Sequence, residues 1–171
     1  MLFGFCYMLT AGAQTSPAAK ARVAEIRKLY AQAKEVIAYK KEAELPPDEM
    51  VITNDYMAAG TGPIKETYRF YYSGGFNEDV GRDTYEPYFI TRKYNVGARE
   101  FYEEILYDNQ GIMVFVFKKS GDSEMRYYFD KGALLHPIVK GEKTWEDDPN
   151  FLQRYASELV QSFNLLMNRE Y

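Results

Sequence analysis

The sequence predicts an α+β domain in which an antiparallel β-meander of about six or seven strands is flanked by an N-terminal and a C-terminal helix packed on one face. Three observations lead to this prediction. Apolar residues recur at helical spacing before residue 44, recur with a period of two between about residues 50 and 140, and return to helical spacing after residue 149. Strands grouped between helices, rather than alternating with them, are typical of the α+β class.

The two helices have recognisable start signals. The first begins at Ser16 and Pro17, because Ser is a favoured N-cap and Pro suits the first helical position, and it ends before the prolines at residues 46–47. Its apolar stripe consists of Val23, Ile26, Tyr30, Ala33 and Ile37. The second begins at Asp148 and Pro149, and its stripe consists of Leu152, Tyr155, Leu159, Phe163 and Leu166.

The central part of the chain is predicted to form strands, because Tyr, Phe, Val, Ile and Thr dominate it and alternate with polar residues. Short connections that contain Gly, such as DNQG at 108–111, favour hairpins between consecutive strands. The longest irregular stretch is predicted at 73–87. The strands are predicted at residues 50–57, 64–72, 87–96, 99–107, 112–119, 124–130 and 133–140.

The stretch LFGFCYMLTAGAQ, residues 2–14, is the most apolar part of the chain. It is too short to span a bilayer, which takes about 20 apolar residues. The small residues Ala11, Gly12 and Ala13 are typical of a signal peptidase site, so we expect residues 1–13 to be a signal peptide and cleavage near Ala13 to release a single globular domain, residues 14–171, into the periplasm or the extracellular space. The basic n-region of a signal peptide is absent, because no Lys or Arg precedes Leu2. A buried N-terminal segment is the alternative to export.

The composition narrows the classes of partner. The net charge is −4 and the basic residues are scattered, so the sequence predicts no nucleic-acid partner. The single cysteine, Cys6, would leave with the signal peptide, and the exported domain would then hold no disulfide, no Cys-ligated zinc and no thiol nucleophile. Sixteen tyrosines combined with a mean hydropathy of −0.46 indicate a surface that is both aromatic and polar.

The order helix, meander, helix, combined with an N-terminal signal peptide and the hairpin YYFDKGALL at 127–135, resembles small uncharacterised exported proteins of gut Bacteroidota. The resemblance implies an exported location and no particular chemistry.

No catalytic residue, metal site or cofactor is predicted. His136 lies in LLHPIV, where a packed or edge-strand position accounts for it. Glu100 and Glu104 would share a strand face about 13 Å apart, too far for a glycosidase pair, while Glu103 points to the other face. We therefore expect a surface role for these three carboxylates. Residues 73–87 do not match a calcium-binding loop in detail and are expected to form a solvated turn.

One face of the predicted sheet combines tyrosines with Arg, Lys and Glu. If Ile64, Tyr68 and Phe70 point inward, alternation places a mixed set of residues outward. Such a face suits glycans, peptides or a partner protein, because Tyr gives a large contact area at low entropic cost. The alternative is that the tyrosines simply cover an exposed antiparallel sheet. The predicted ligand-binding residues are Arg69, Tyr71, Lys93, Tyr102, Glu104, Arg126 and Tyr128.

These observations together favour an exported, non-enzymatic binding domain that uses a Tyr-rich open sheet face. An exported hydrolase acting on glycans or peptides is one alternative, and a structural envelope protein is another. An enzyme is expected to show carboxylates converging in a concave pocket, whereas a binding module is expected to show a broad aromatic face.

Overall fold

The computed structural model describes residues 16–43, 48–140 and 147–169, and it confirms the predicted α+β class. The predicted signal peptide, including Cys6, lies outside these residues. The elements in chain order are α1 (Pro17–Glu42), β1 (Glu49–Ala58), β2 (Gly62–Asn77), β3 (Arg82–Val96), β4 (Arg99–Tyr107), β5 (Met113–Ser120), β6 (Ser123–Asp130), β7 (Ala133–Lys140) and α2 (Pro149–Met167).

Both helices begin where the sequence predicts. The side chain of Ser16 accepts a hydrogen bond from the backbone N–H of Ala19 at 3.1 Å, and that of Asp148 accepts from the N–H of Asn150 at 2.9 Å. In both cases the cap satisfies a donor that the first turn leaves without a helical partner. Within the described part of the chain, neither helix combines the length and the apolar character that crossing a membrane requires.

The seven strands pair in chain order, from β1 at one edge to β7 at the other, and every pair is antiparallel. This is the predicted meander. The prediction of an irregular stretch at 73–87 is wrong. Strand β2 continues to Asn77 and β3 begins at Arg82, so the two strands form a long hairpin. The two strands approach closely at Gly74, where a Cβ atom would collide with the backbone of Thr84 and with Tyr85.

The two helices pack on opposite faces of the sheet, so the prediction that they share one face is wrong. On β3, Phe89 packs in a cluster with Ile26 of α1, whereas its neighbour Ile90 packs in a cluster with Phe163 of α2. Consecutive strand residues point to opposite faces. The central strands are apolar on both faces, and each face therefore needs its own helix to exclude water from it.

Candidate functional site

The face of the sheet against which α1 packs, here called the α1 face, is built from every second residue of each strand. Cross-strand pairing aligns one apolar row on this face, Phe89, Leu106, Phe115 and Tyr128. The stripe of α1 that contains Ile26 and Ala33 packs over this row, and the ring of Tyr30 lies 5.2 Å from that of Phe115 between centroids. The helix thus covers one end of the face.

All seven residues predicted to bind a ligand lie on the α1 face, so strand alternation groups them correctly. The pairing places Arg69, Glu104 and Arg126 in one row and Lys93 and Tyr102 in the next. Tyr71 and Tyr128 lie in the apolar row beneath α1. The expectation that the whole face is open to solvent is wrong, because α1 covers this row.

Tyr128 is the clearest departure from the predicted exposure. It is 3% exposed, and the guanidinium of Arg27 on α1 lies 5.6 Å from the centroid of its ring. The Nε–H of Arg27 also donates to the Tyr128 hydroxyl at 3.3 Å. Tyr71 is half-buried, and its ring lies 6.2 Å from that of Phe89. Tyr128 therefore holds the helix against the sheet, and Tyr71 packs at the side of the same apolar cluster.

Glu104 is buried rather than at the surface, with an exposed fraction of 2%. Its Oε2 accepts a hydrogen bond from the Tyr30 hydroxyl at 2.6 Å, and its Oε1 accepts from Lys34 Nζ at 2.9 Å and from the Tyr102 hydroxyl at 2.8 Å. Burial, followed by the interaction with Glu104, raises the pKa of Tyr30 and of Tyr102, so both hydroxyls remain protonated donors. The hydrogen bonds that Tyr30 and Lys34 donate to Glu104 thus connect α1 to β4.

Beyond α1, much of the two neighbouring rows of the face is accessible, whereas Glu104, in the nearer row, is covered by the helix. Five cations there have substantial exposure: Arg69 at 46%, Lys93 at 64%, Lys119 at 50%, Arg126 at 34%, and Lys140, which is also exposed. Half-buried aromatic rings lie between them. We call this surface the uncovered region, and its residues are Arg69, Lys93, Tyr102, Phe117, Lys119, Arg126 and Lys140.

Positive charge is in excess on these two rows, although the whole chain carries −4. Their acidic residues are Glu104, which Lys34 already neutralises, and Glu124, whose pKa is lowered by its bond to Arg126. Acids at the border also contact the cations, as in the pair of Arg69 with Glu49 at 3.1 Å. Exposed pairs of this kind contribute about 0–1 kcal/mol. They can therefore open at little cost to admit a ligand.

Two depressions adjoin the uncovered region. One of about 390 Å³ lies between α1 and the sheet and is lined by Tyr30, Phe117 and Arg126. The other, of about 910 Å³, lies between the tips of the β3–β4 and β5–β6 hairpins and is lined by Lys93, Arg99 and Lys119. The pairing of β4 with β5 ends at Tyr102 and Lys119, although β4 itself begins at Arg99. The residues at the start of β4 that do not pair with β5 leave room between the two hairpin tips.

The opposite face, called the α2 face, holds a buried charge network that the sequence analysis missed. Arg92 lies at its centre, where its Nε–H donates to Glu66 at 2.5 Å and its Nη1 lies 3.2 Å from Glu103. Lys118 links Glu103 to Asp147, at 3.3 and 2.9 Å. Glu66 and Glu103 are only 5% and 3% exposed.

This network is suited to structural support. Burial by itself would raise the pKa of Glu66, but the charge and the hydrogen bond of Arg92 outweigh it, and the pKa is lowered. A general acid for glycoside hydrolysis instead needs a carboxyl group whose pKa is raised. The surface role expected for Glu103 is wrong. The sequence does contain a signal for this buried network. Charged residues occupy strand positions whose side chains are predicted to point inward, as Glu66 does between Ile64 and Tyr68.

The remaining candidates from the sequence are His136 and the stretch at 73–87. His136 lies on the edge strand β7, opposite Tyr128 in the register. The stretch 77–82 forms the turn of the long hairpin, where the backbone N–H of Asp79 donates to Asn77 Oδ1 at 3.0 Å. Within residues 16–43, 48–140 and 147–169, no three His, Cys, Asp or Glu side chains lie close enough together to hold a metal ion.

Comparison with known proteins found no match: no family model fits the chain, and no curated protein or solved structure is similar to it. Its function therefore has to be inferred from the chain's own residues.

Proposed function

We propose that this protein is an exported, non-enzymatic binding domain whose uncovered region holds an elongated acidic ligand. One observation carries the proposal. The part of the Tyr-rich α1 face that the helix leaves accessible is also the part where cations exceed acids, on a chain that is acidic overall. A local field opposite in sign to the net charge favours a ligand that brings negative charge.

The spacing of the cations supports an elongated ligand. Arg69 lies on β2 and Arg126 on β6, so four strand-to-strand steps separate them across the sheet. Neighbouring strands are about 4.8 Å apart, which makes this distance about 19 Å. Lys93 and Lys119 lie in the adjoining row, on β3 and β5. A chain lying across the strands would pass these cations in succession.

The aromatic residues between the cations add contact area. The guanidinium of Arg126 lies 4.8 Å from the centroid of the Phe117 ring, and the ring of Tyr102 lies 6.4 Å from the same ring. Arg and Tyr contribute disproportionately to the energy of binding at interface centres. A ligand with carboxylates on a sugar or peptide backbone can meet both groups at once.

Binding is favoured over hydrolysis because the buried carboxylates already have partners. Glu104 is bound to Tyr30, Lys34 and Tyr102, while Glu66 and Glu103 share Arg92. These contacts support the sheet and its helices. A hydrolase would instead need a pair of carboxyl groups facing a common substrate bond.

Export is part of the proposal and rests on the sequence of residues 1–13. It predicts that a Gram-negative host will remove this segment near Ala13 and, because Phe5 rather than Gly or Ala precedes Cys6, will attach no lipid to the chain. The intact mass of the protein recovered from the periplasm or medium measures this directly. A recovered mass that still includes Cys6 would contradict it.

Ligand binding is tested with two acidic polymers, polygalacturonate and poly-glutamate, by titration calorimetry. Fully methyl-esterified polygalacturonate is the uncharged control for the first, and polyglutamine is the control for the second. We expect binding to an acidic polymer, weakened by salt because exposed charges are screened. Binding to neither acidic polymer, or equal binding to the uncharged controls, would contradict the proposal and leave the structural role as the better account.

A further inference from the structure

The two edges of the sheet differ in their ability to pair with another strand. The edge strand β7 contains Pro137 and ends in Lys140, residue types that proteins use to keep an edge strand from pairing. The edge strand β1, EMVITNDYMA, contains neither Pro nor Lys nor Arg, and its two charged residues are the carboxylates Glu49 and Asp55. Val51, Tyr56 and Met57 are 44%, 46% and 76% exposed on it. The edge formed by β1 therefore has the properties of a pairing site.

The backbone of β1 shows which residues offer hydrogen bonds outward. The N–H of Tyr72 donates to the carbonyl of Asp48 at 3.0 Å, so residue 48 directs its backbone groups toward β2. In an antiparallel pair this direction alternates along the strand. The odd-numbered residues from Val51 to Met57 consequently direct their N–H and C=O groups away from β2.

We propose that β1 pairs with β1 of a second copy of this chain, antiparallel and with the two-fold axis at Asn54. This register places Val51 opposite Met57 of the partner subunit and Ile52 opposite Tyr56 of the partner subunit. Apolar and aromatic cross-strand pairs are the ones that stabilise sheets. It also pairs Thr53 with Asp55 of the partner subunit, a hydroxyl donor with a carboxylate.

The side chains select this register over its neighbour. Residues directly opposite one another in a sheet lie on the same face. The two-fold axis must therefore pass through a residue and cannot lie between two residues. The neighbouring register has its axis one residue earlier. With the axis at Thr53, Val51 would lie opposite Asp55 of the partner subunit and Met57 opposite Glu49 of the partner subunit. That arrangement sets two exposed apolar side chains against carboxylates. The axis at Asn54 avoids this and gives a continuous sheet through both copies.

The first experiment measures the molar mass of the full chain against concentration by sedimentation equilibrium. We expect a mass approaching twice the monomer's 19.9 kDa as concentration rises. The variant V51K/M57K sets Lys against Lys in both symmetric pairs, which we expect to raise the dissociation constant about tenfold. The matched variant V51K/M57E sets Lys against Glu, and we expect it to dimerise like the native chain. Circular dichroism is the measurement that checks whether both variants fold.

The second experiment fixes the axis by disulfide formation in a C6S background. A residue on the axis at a non-hydrogen-bonded position lies about 4.5 Å from its symmetry mate, within disulfide range. We expect N54C to cross-link under mild oxidation. T53C is the control, because in this register residue 53 is diagonal to its mate, about 7–8 Å away, and too far to bridge.

The proposal is overturned if the native chain stays monomeric at every concentration. It is equally overturned if V51K/M57K dimerises as well as V51K/M57E, or if T53C cross-links in preference to N54C. None of these measurements depends on a ligand, so their failure leaves the proposed binding function untouched.

Discussion

Glu103 and Glu104 are consecutive residues of β4, and each is buried on a different face of the sheet. Glu104 holds α1 through Tyr30 and Lys34, whereas Glu103 joins the network of Arg92 on the α2 face. Alternation along a strand makes this possible. One dipeptide therefore connects the central sheet to the polar contacts of both outer layers.

Glu104→Ala is expected to lower the free energy of unfolding by about 1–3 kcal/mol, because it leaves the hydroxyls of Tyr30 and Tyr102 without their acceptor. The matched control is Glu100→Ala, on the same strand and face but with a side chain that is 73% exposed. We expect the control to change stability by less than about 0.5 kcal/mol. Urea denaturation measures both. Equal effects would show that Glu104 does not anchor α1.

Arg92→Met is expected to cost about 3–5 kcal/mol, since it leaves Glu66 buried without a cation. Without Arg92, burial would raise the pKa of Glu66 above its unfolded value. The variant should then recover stability as the pH falls and the carboxyl group becomes protonated. Adding Glu66→Gln to Arg92→Met should restore part of the loss at neutral pH. A defect that is independent of pH and is not rescued would contradict this account.

Alkaline pH is expected to unfold the protein cooperatively. Burial raises the pKa of Tyr68 to about 12 and raises those of Tyr94, Tyr107 and Tyr155 further. An unfolded tyrosine has a pKa of about 10, so above that pH the unfolded chain binds fewer protons and stability falls as pH rises. Urea midpoints should therefore be steady near neutral pH and should decrease between about pH 10 and 12. A midpoint that does not decrease there would mean that these hydroxyls ionise as freely as in the unfolded chain.

Arg126→Ala is expected to weaken binding of the acidic polymer by about 1–3 kcal/mol, as the removal of central contacts does. Its melting temperature should change little, because the ion pair of Arg126 with Glu124 is partly exposed and such pairs contribute about 0–1 kcal/mol. Arg154→Ala, which removes the same charge from the exposed side of α2, is the matched control and should bind normally. Full affinity of the Arg126 variant would move the site away from the uncovered region. Tyr102→Ala is less suitable here, since its hydroxyl also holds Glu104.

The sequence predicts the elements of this fold well, because the signals for them are local. Ser16 and Asp148 cap helices where they are expected to, and the period of two places Arg69, Lys93 and Arg126 on one face. The packing of the two helices on opposite faces of the sheet was not predicted, because helical spacing alone does not show which face of the sheet a helix covers. The sequence does contain a sign of it. Runs such as MVFVF at 113–117 are apolar in both phases, which is typical of strands covered on both sides.

The candidate site was predicted less well than the fold. Alternation assigns Tyr128 and Glu104 to the correct face, but it cannot reveal that a helix 74 to 101 residues away in sequence covers them. The long hairpin was missed for a related reason. The residues at its outer end, 73–76, are all exposed, so no apolar alternation distinguishes them from a loop.

The pairing of strands in chain order also determines when each layer can form during synthesis. Each hairpin joins neighbours, so the sheet can grow as the chain emerges, whereas α1 must wait for Glu104 and Tyr128. At about 5–20 residues per second, the 101 residues between Arg27 and Tyr128 take about 5–20 s to make. Throughout that interval the apolar stripe of the first helix has no sheet to cover it. Until Tyr128 has been made, the chain therefore exposes an apolar helical surface that the folded protein buries.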